Sequence, residues 1–94
     1  MKISELKEGQ SNVNVKGKVI RKEDTKLVET RFGKKRVCNF ELEDDSGSIT
    51  LVLWEDQIDE INVGDYVEIT NGYVNKFRGK LQLNVGKFGK ISKV

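Results

Sequence analysis

The stretch RVCNFELEDDSGSITLVLW, Arg36–Trp54, carries the alternation that decides the fold. Cys38, Phe40 and Leu42 fall on one side of an extended chain, and Val37, Asn39 and Glu41 on the other. Successive side chains of a strand point to opposite faces, so this period of two predicts a half-buried strand over Arg36–Asp44. Asp44-Asp45-Ser46-Gly47 follows, four residues that favour a tight turn. The alternation then resumes over Ser48–Trp54, with Ile49, Leu51 and Leu53 inward and Thr50, Val52 and Trp54 outward. Two strands joined by a turn predict a hairpin, and its outer face ends in a tryptophan. Such a ring either folds over the sheet edge onto neighbouring aliphatics or faces a ligand.

The same period recurs on both sides of this hairpin. Ser11–Lys22 places Val13, Val15, Gly17 and Val19 on one face and Asn14, Lys16 and Lys18 on the other, and Gly17 suggests a bend or bulge. Glu23–Lys35 loses the pattern and reads as a loop or ragged hairpin tip. Glu55–Ile61 also loses the strand period; Ile58 and Ile61 lie three apart behind leading acids, which predicts a short helix. Tyr66–Thr70 buries Val67 and Ile69, Gly72 bends the chain after it, and Lys80–Val85 buries Leu81, Leu83 and Val85. Val74–Lys80 reads as the connection between the last two strands. At the N-terminus, Ile3 and Leu6 are placed to cap one end of a core, and Ile91 adds a contact near the C-terminus.

Five strands in 94 residues leave exposed edges unless the sheet closes. The expectation is all-β: a five-stranded, partly open Greek-key barrel, the OB-fold, with a short helix between strands three and four plugging its bottom. An SH3-like barrel is the competing geometry, but the long first strand and the helix favour the OB arrangement. Residues 1–94 are expected to form one OB-fold domain.

Composition removes several function classes. One cysteine, Cys38, and no histidine exclude an internal disulfide and a Cys/His zinc site, and they leave no means to build the usual nucleophile–base pairs. Cys38 sits in the strand pattern as a buried apolar residue. No cofactor and no enzyme activity are expected. The longest apolar run, Leu51–Trp54, is far too short to span a membrane, and nothing resembles a signal peptide, so the expected setting is intracellular, and cytoplasmic for an archaeal protein.

The net charge of +2 conceals three blocks: residues 1–40 sum to +6, residues 41–70 to −10 and residues 71–94 to +6. Basic first and last segments that meet in the fold would form one positive surface, the electrostatic footprint of a nucleic-acid binder; ordinary solvated faces are the plainer reading. Within the last block, Tyr73 and Phe77 stand among Lys76, Arg78 and Lys80. With Trp54 they are placed as three steps of one platform. Bases stack on aromatic rings whatever the sequence, while cations beside the rings neutralise phosphates. Lys34, Lys35 and Arg36, with Arg31 and Phe32, lie in the first long loop and are placed to close over a strand from the other side. Lys16, Lys18 and Lys87 are further candidates for phosphate contact. Asp44, Asp45, Asp56, Asp59 and Glu60 lack the spacing of a calcium loop and read as solvated acids away from the platform.

Taken in order, ISELKEG, VNVKGKVI, DDSGSITLVLWED and VGDYVEITNGYVNKFRGKLQLNVGK resemble the OB-fold domains of archaeal replication protein A and the simple single-OB single-stranded-DNA-binding proteins of archaea and eukaryotes. The resemblance covers nearly the whole chain. It implies that Trp54, Tyr73 and Phe77 stack on bases of single-stranded DNA, with little sequence preference, in DNA replication, recombination or repair. Some members carry a further aromatic where this chain has Asn84, which removes a stacking step and leaves an amide able to bond a base or sugar. The zinc motifs of longer members are missing, and since members often carry more OB domains or a tail, one domain of a longer protein fits the resemblance. Two other readings of the same surface stand beside it: an RNA-binding OB module associated with tRNA or the ribosome, and a protein-interaction OB domain, with replication or repair proteins as partners.

Overall fold

The computed structural model describes all 94 residues, Met1–Val94. Seven strands occur in chain order: β1 (Ser11–Lys22), β2 (Lys26–Thr30), β3 (Gly33–Asp44), β4 (Gly47–Trp54), β5 (Tyr66–Phe77), β6 (Lys80–Asn84) and β7 (Lys90–Lys93). One helix, α1 (Asp56–Glu60), lies between β4 and β5, and a 3-10 turn, Ile3–Glu5, precedes β1. Five strands form the order β1-β3-β4-β6-β5, and β5 returns to pair with β1, closing the ring. All these pairings are antiparallel except β4–β6. This is the OB barrel the alternation predicts, with two accessory strands outside the ring. β2 extends the sheet from β3, and β7 lies along the first half of β5.

Closure depends on β1 and β5 each passing from one ring neighbour to the next along its length. Lys18 is in register with both Tyr66 of β5 and Glu43 of β3. Gly17 stands at this switch: a Cβ there would sit 2.7 Å from the Glu43 carbonyl oxygen and 2.9 Å from Leu42 Cγ. The glycine therefore permits a close strand approach, and the register shifts of β1 lie on either side of it, around Val13 against β5 and between Val19 and Arg21 against β3. β5 bends in the same manner around Asn71, whose φ is 54°, and Gly72, passing from β1 to β6 without ending the strand.

The inward-facing residues are those of the alternation. Val13, Val15, Val19, Cys38, Phe40, Leu42, Ile49, Leu51, Leu53, Val67, Ile69, Leu83 and Val85 are buried in one cluster. Ile3 and Leu6 close one end and Ile58 and Ile61 the other. Asp44 anchors the first end by accepting hydrogen bonds from the amides of Ile3 (2.8 Å) and Ser46 (2.7 Å) and from the Ser46 hydroxyl. Lys22 fixes the second, its Nζ donating to the carbonyls of Ile58 and Ile61 at 3.1 and 3.4 Å.

Two expectations change. Of the two readings of Glu23–Lys35, the hairpin holds and the loop does not: Lys26–Thr30 pairs with Gly33–Val37 as a regular arm rather than a ragged tip. The arm projects past the barrel, where neither face is fully covered, so it needs no apolar alternation. Likewise Asn75–Phe77 belongs to β5: Phe77 is in register with Lys80, and only Arg78 and Gly79 form the turn. Both turn residues have positive φ, 52° and 81°, the geometry of a two-residue hairpin whose twist matches the strands.

Candidate nucleic-acid interface

The outer faces of β3, β4, β5 and β6 make one groove of about 530 Å³. Alternation decides what lines it. On β5, Tyr73, Asn75 and Phe77 face the groove, while Val74 between them is buried in the core. On β4, Val52 and Trp54 face it, and on β6, Gln82 and Asn84. Val52 points outward as the sequence predicts, yet it is 6% exposed because it forms part of the groove floor. A second cavity of about 410 Å³ shares Trp54, Tyr73 and Asn84 with the groove and extends it past Gly86. The three aromatics border this continuous surface, 40%, 43% and 55% exposed for Trp54, Tyr73 and Phe77.

Each ring is held by a local device. Trp54 is in register with Val37, and the chain turns sharply at the next residue, where Glu55 has φ 52°. Glu55 is tied back to β3: its amide donates to the Arg36 carbonyl at 3.1 Å, and its carboxylate accepts from the Arg36 amide at 2.7 Å. Gly86, at φ +75°, lies against Tyr73; a Cβ there would be 2.8 Å from the ring. The Arg78 guanidinium lies 5.2 Å from the Phe77 ring centre and lines the groove.

The basic candidates separate by face. Arg78 lines the groove, and Lys80 stands opposite Phe77. Lys35 pairs with Val28 of β2, a groove residue, and shares that face by alternation. Lys34 and Arg36 fall on the opposite face. Arg36 donates two hydrogen bonds to Asp59, at 3.2 and 3.0 Å, and lies 3.9 Å from Glu55. The bond and charge of Asp59 raise the Arg36 pKa, and the bond from Arg36 lowers that of Asp59. Lys76 alternates with the groove residues and pairs with Leu81 on the other face. Arg31 and Phe32 form the exposed β2–β3 tip, with Phe32 81% exposed. Lys16, 4.0 Å from Glu68, and Lys18, 5.9 Å from the Tyr66 ring, lie on the β1–β5 seam, which the ring order sets across the barrel from β4. Lys87 follows Gly86 in an exposed loop.

The structure adds residues that sequence reading missed. Lys26 and Val28 of β2 line the groove, and their alternation with Leu27 and Glu29 is the faint signal that was available. Asn75 and Gln82 do so too, through their strand positions. Acids are closer to the aromatics than expected: Glu23 and Asp24 border the groove, and Glu55 and Asp56 border its extension beside Trp54. Asn84 is 7% exposed and in register with Tyr73, so it forms floor rather than platform.

A family model described as an OB-fold nucleic acid binding domain matches residues 13–91. The single-stranded DNA binding protein Ssb of Saccharolobus solfataricus is 30% identical over 91 residues, covering 97% of this chain. The chain spans 62% of that relative's length. The OB domain of Ta0387 from Thermoplasma acidophilum superposes with a TM-score of 0.88 at 30% identity, covering 100% of this chain and 85% of that one. A domain of replication protein A from Methanococcus maripaludis superposes at 0.80 with 32% identity, covering 100% and 93%. The closed five-stranded ring and the match over nearly its whole length place this chain in the family of OB-fold nucleic acid binding domains.

Proposed function

We propose that the chain binds single-stranded DNA along the β3–β4–β6–β5 groove, with little dependence on sequence, as part of DNA replication, recombination or repair. The observation that carries this reading is the alignment of Trp54, Tyr73 and Phe77 on one outer face, around a floor of Val52 and Asn84. Rings exposed in this way contribute by stacking, about 1–3 kcal/mol per base. Single strands offer unpaired base faces, whereas a duplex hides them. Arg78, Lys80, Lys35 and Lys26 supply phosphate contacts around the groove, and Arg31 and Phe32 reach the strand from the β2–β3 tip. Lys34, Lys76 and Lys87 add positive potential from the margins, Lys16 and Lys18 serve the far seam, and Arg36 is engaged by Asp59. Glu23, Asp24, Glu55 and Asp56 on the groove border repel phosphate and favour a backbone path along the basic residues. The relatives named for single-stranded DNA binding and for replication protein A support this substrate.

Trp54 is the sole tryptophan, so its fluorescence reports binding directly. Titration with oligo-dT should quench it, and log affinity should fall with log salt at a slope of about −0.7 per phosphate contact. Unchanged fluorescence, together with no shift in mobility of a labelled oligomer, would sink the reading.

A further inference from the structure

Two side-chain amides and a backbone carbonyl are linked across the groove. Asn84 Nδ2 donates to Asn75 Oδ1 at 2.9 Å and approaches the backbone carbonyl of Gln82 at 3.4 Å. The backbone carbonyl can only accept, so it fixes which end of the Asn84 amide faces inward. Asn84 must present NH2 there, and Asn75 must answer with its oxygen. The Asn75 NH2 is thereby left as the end free to address the groove, between Tyr73 and Phe77 on the same strand face.

Resting on the single-stranded-DNA reading above, we propose that Asn75 is a base-reading residue and Asn84 its positioning residue. A base stacked on either flanking ring brings its edge to Asn75, which offers a hydrogen-bond donor. At pyrimidine C4 and purine C6, the edge that must face Asn75 for this reading, thymine, uracil and guanine carry an acceptor oxygen, whereas cytosine and adenine carry a donor amino group. The groove therefore favours keto bases over amino bases at one position, superimposed on stacking that tolerates every base. Asn84 is nearly buried and cannot itself reach far into the groove, so its effect passes through Asn75.

Deoxyuridine and deoxycytidine oligomers of equal length test this, because the two bases share ring size and lack the thymine methyl. Fluorescence titration of the wild-type chain should give about three- to tenfold tighter binding to the uridine oligomer, the range of one neutral hydrogen bond. Asn75→Asp keeps the acceptor for Asn84 but replaces the outward donor by an acceptor. Its added charge weakens both oligomers, and the uridine-to-cytidine ratio should invert. Asn84→Ala frees the Asn75 amide to rotate, and the ratio should fall towards one. Tight binding with a wild-type ratio of one overturns the proposal and leaves single-strand binding intact, as does a ratio that survives Asn75→Asp. A ratio undiminished in Asn84→Ala overturns the positioning role. Failure of both oligomers to bind the wild-type chain overturns the underlying reading instead.

Discussion

Arg36 and Asp59 are joined by two hydrogen bonds, 3.2 and 3.0 Å, on the face of β3 turned away from the groove. A cation one residue from groove-lining Val37 is thus directed to the helix. Arg36→Ala should leave oligo-dT affinity within about twofold and the salt slope unchanged, with only a small drop in Tm because the pair is exposed. Arg78→Ala should weaken binding and reduce the magnitude of the salt slope by about 0.7. Parallel salt titrations of the two variants check the assignment, and a slope change in Arg36→Ala alone would reverse it.

Trp54, Tyr73 and Phe77 keep substantial exposure while the core lies on the other side of their strands. Alanine at each position should cost about 1–3 kcal/mol of binding, roughly 5- to 150-fold, with little change in Tm. Thermal melts alongside the titrations separate the two effects. Three folded variants with wild-type affinity would remove the stacking platform.

Gly86 is the one glycine in contact with a platform ring. Gly86→Ala places a methyl within 2.8 Å of Tyr73 and asks alanine to adopt φ +75°. Left-handed backbone costs an L-residue about 1–2 kcal/mol, so Tm should fall. The displaced ring should also lower affinity towards that of Tyr73→Ala. Adding Gly86→Ala to Tyr73→Ala should then cost little further affinity, and full additivity of the two losses would argue against the contact.

Asp44 couples the N-terminal cap to pH. Partial burial pushes its carboxyl up, but the Ser46 hydroxyl and the amides of Ile3, Ser46 and Gly47 outweigh this and hold it below its ordinary 3.8. The folded pKa therefore lies below the unfolded one. Its contribution to stability is complete above the unfolded value and is lost as pH falls through the folded value. Asp65, lowered first by the Asn62 amide and further by Lys93, acts with the same sign. Tm should be flat above about pH 5 and fall below about pH 4. Asp44→Asn should melt lower at neutral pH, and the gap should narrow in acid; a constant gap from neutral pH to pH 2 would contradict the linkage.

Legibility tracked how much of each strand the core covers. Cys38, Phe40 and Leu42 opposite Ile49, Leu51 and Leu53 left an unmistakable period because one face of their hairpin is buried throughout. Asn75-Lys76-Phe77 left none, since that end of β5 is held by backbone bonds to β6 at the barrel rim rather than by burial. The β2–β3 arm left only a choice between loop and ragged hairpin tip for the same reason. Trp54, Tyr73 and Phe77 stood out as aromatics in unusual company, and the groove does gather them. Their neighbours were less readable: Arg36 and Lys35 are adjacent cations in sequence, and only parity and a partner on α1 distinguish them.

The sequence by itself determined which residues face inward, because burial of alternate side chains is a local pattern of period two. It also determined the turn at Asp44–Gly47 and the outward side of Trp54, which follow from the same count. The tertiary structure alone decided what the outer face contains. Strand pairing brings Val52, Asn75 and Asn84 together from positions separated by up to 32 residues, making a floor of Val52 and an oriented donor of Asn75. Hydrogen bonds between β-strands join residues by register rather than by sequence distance, and no local composition encodes that register.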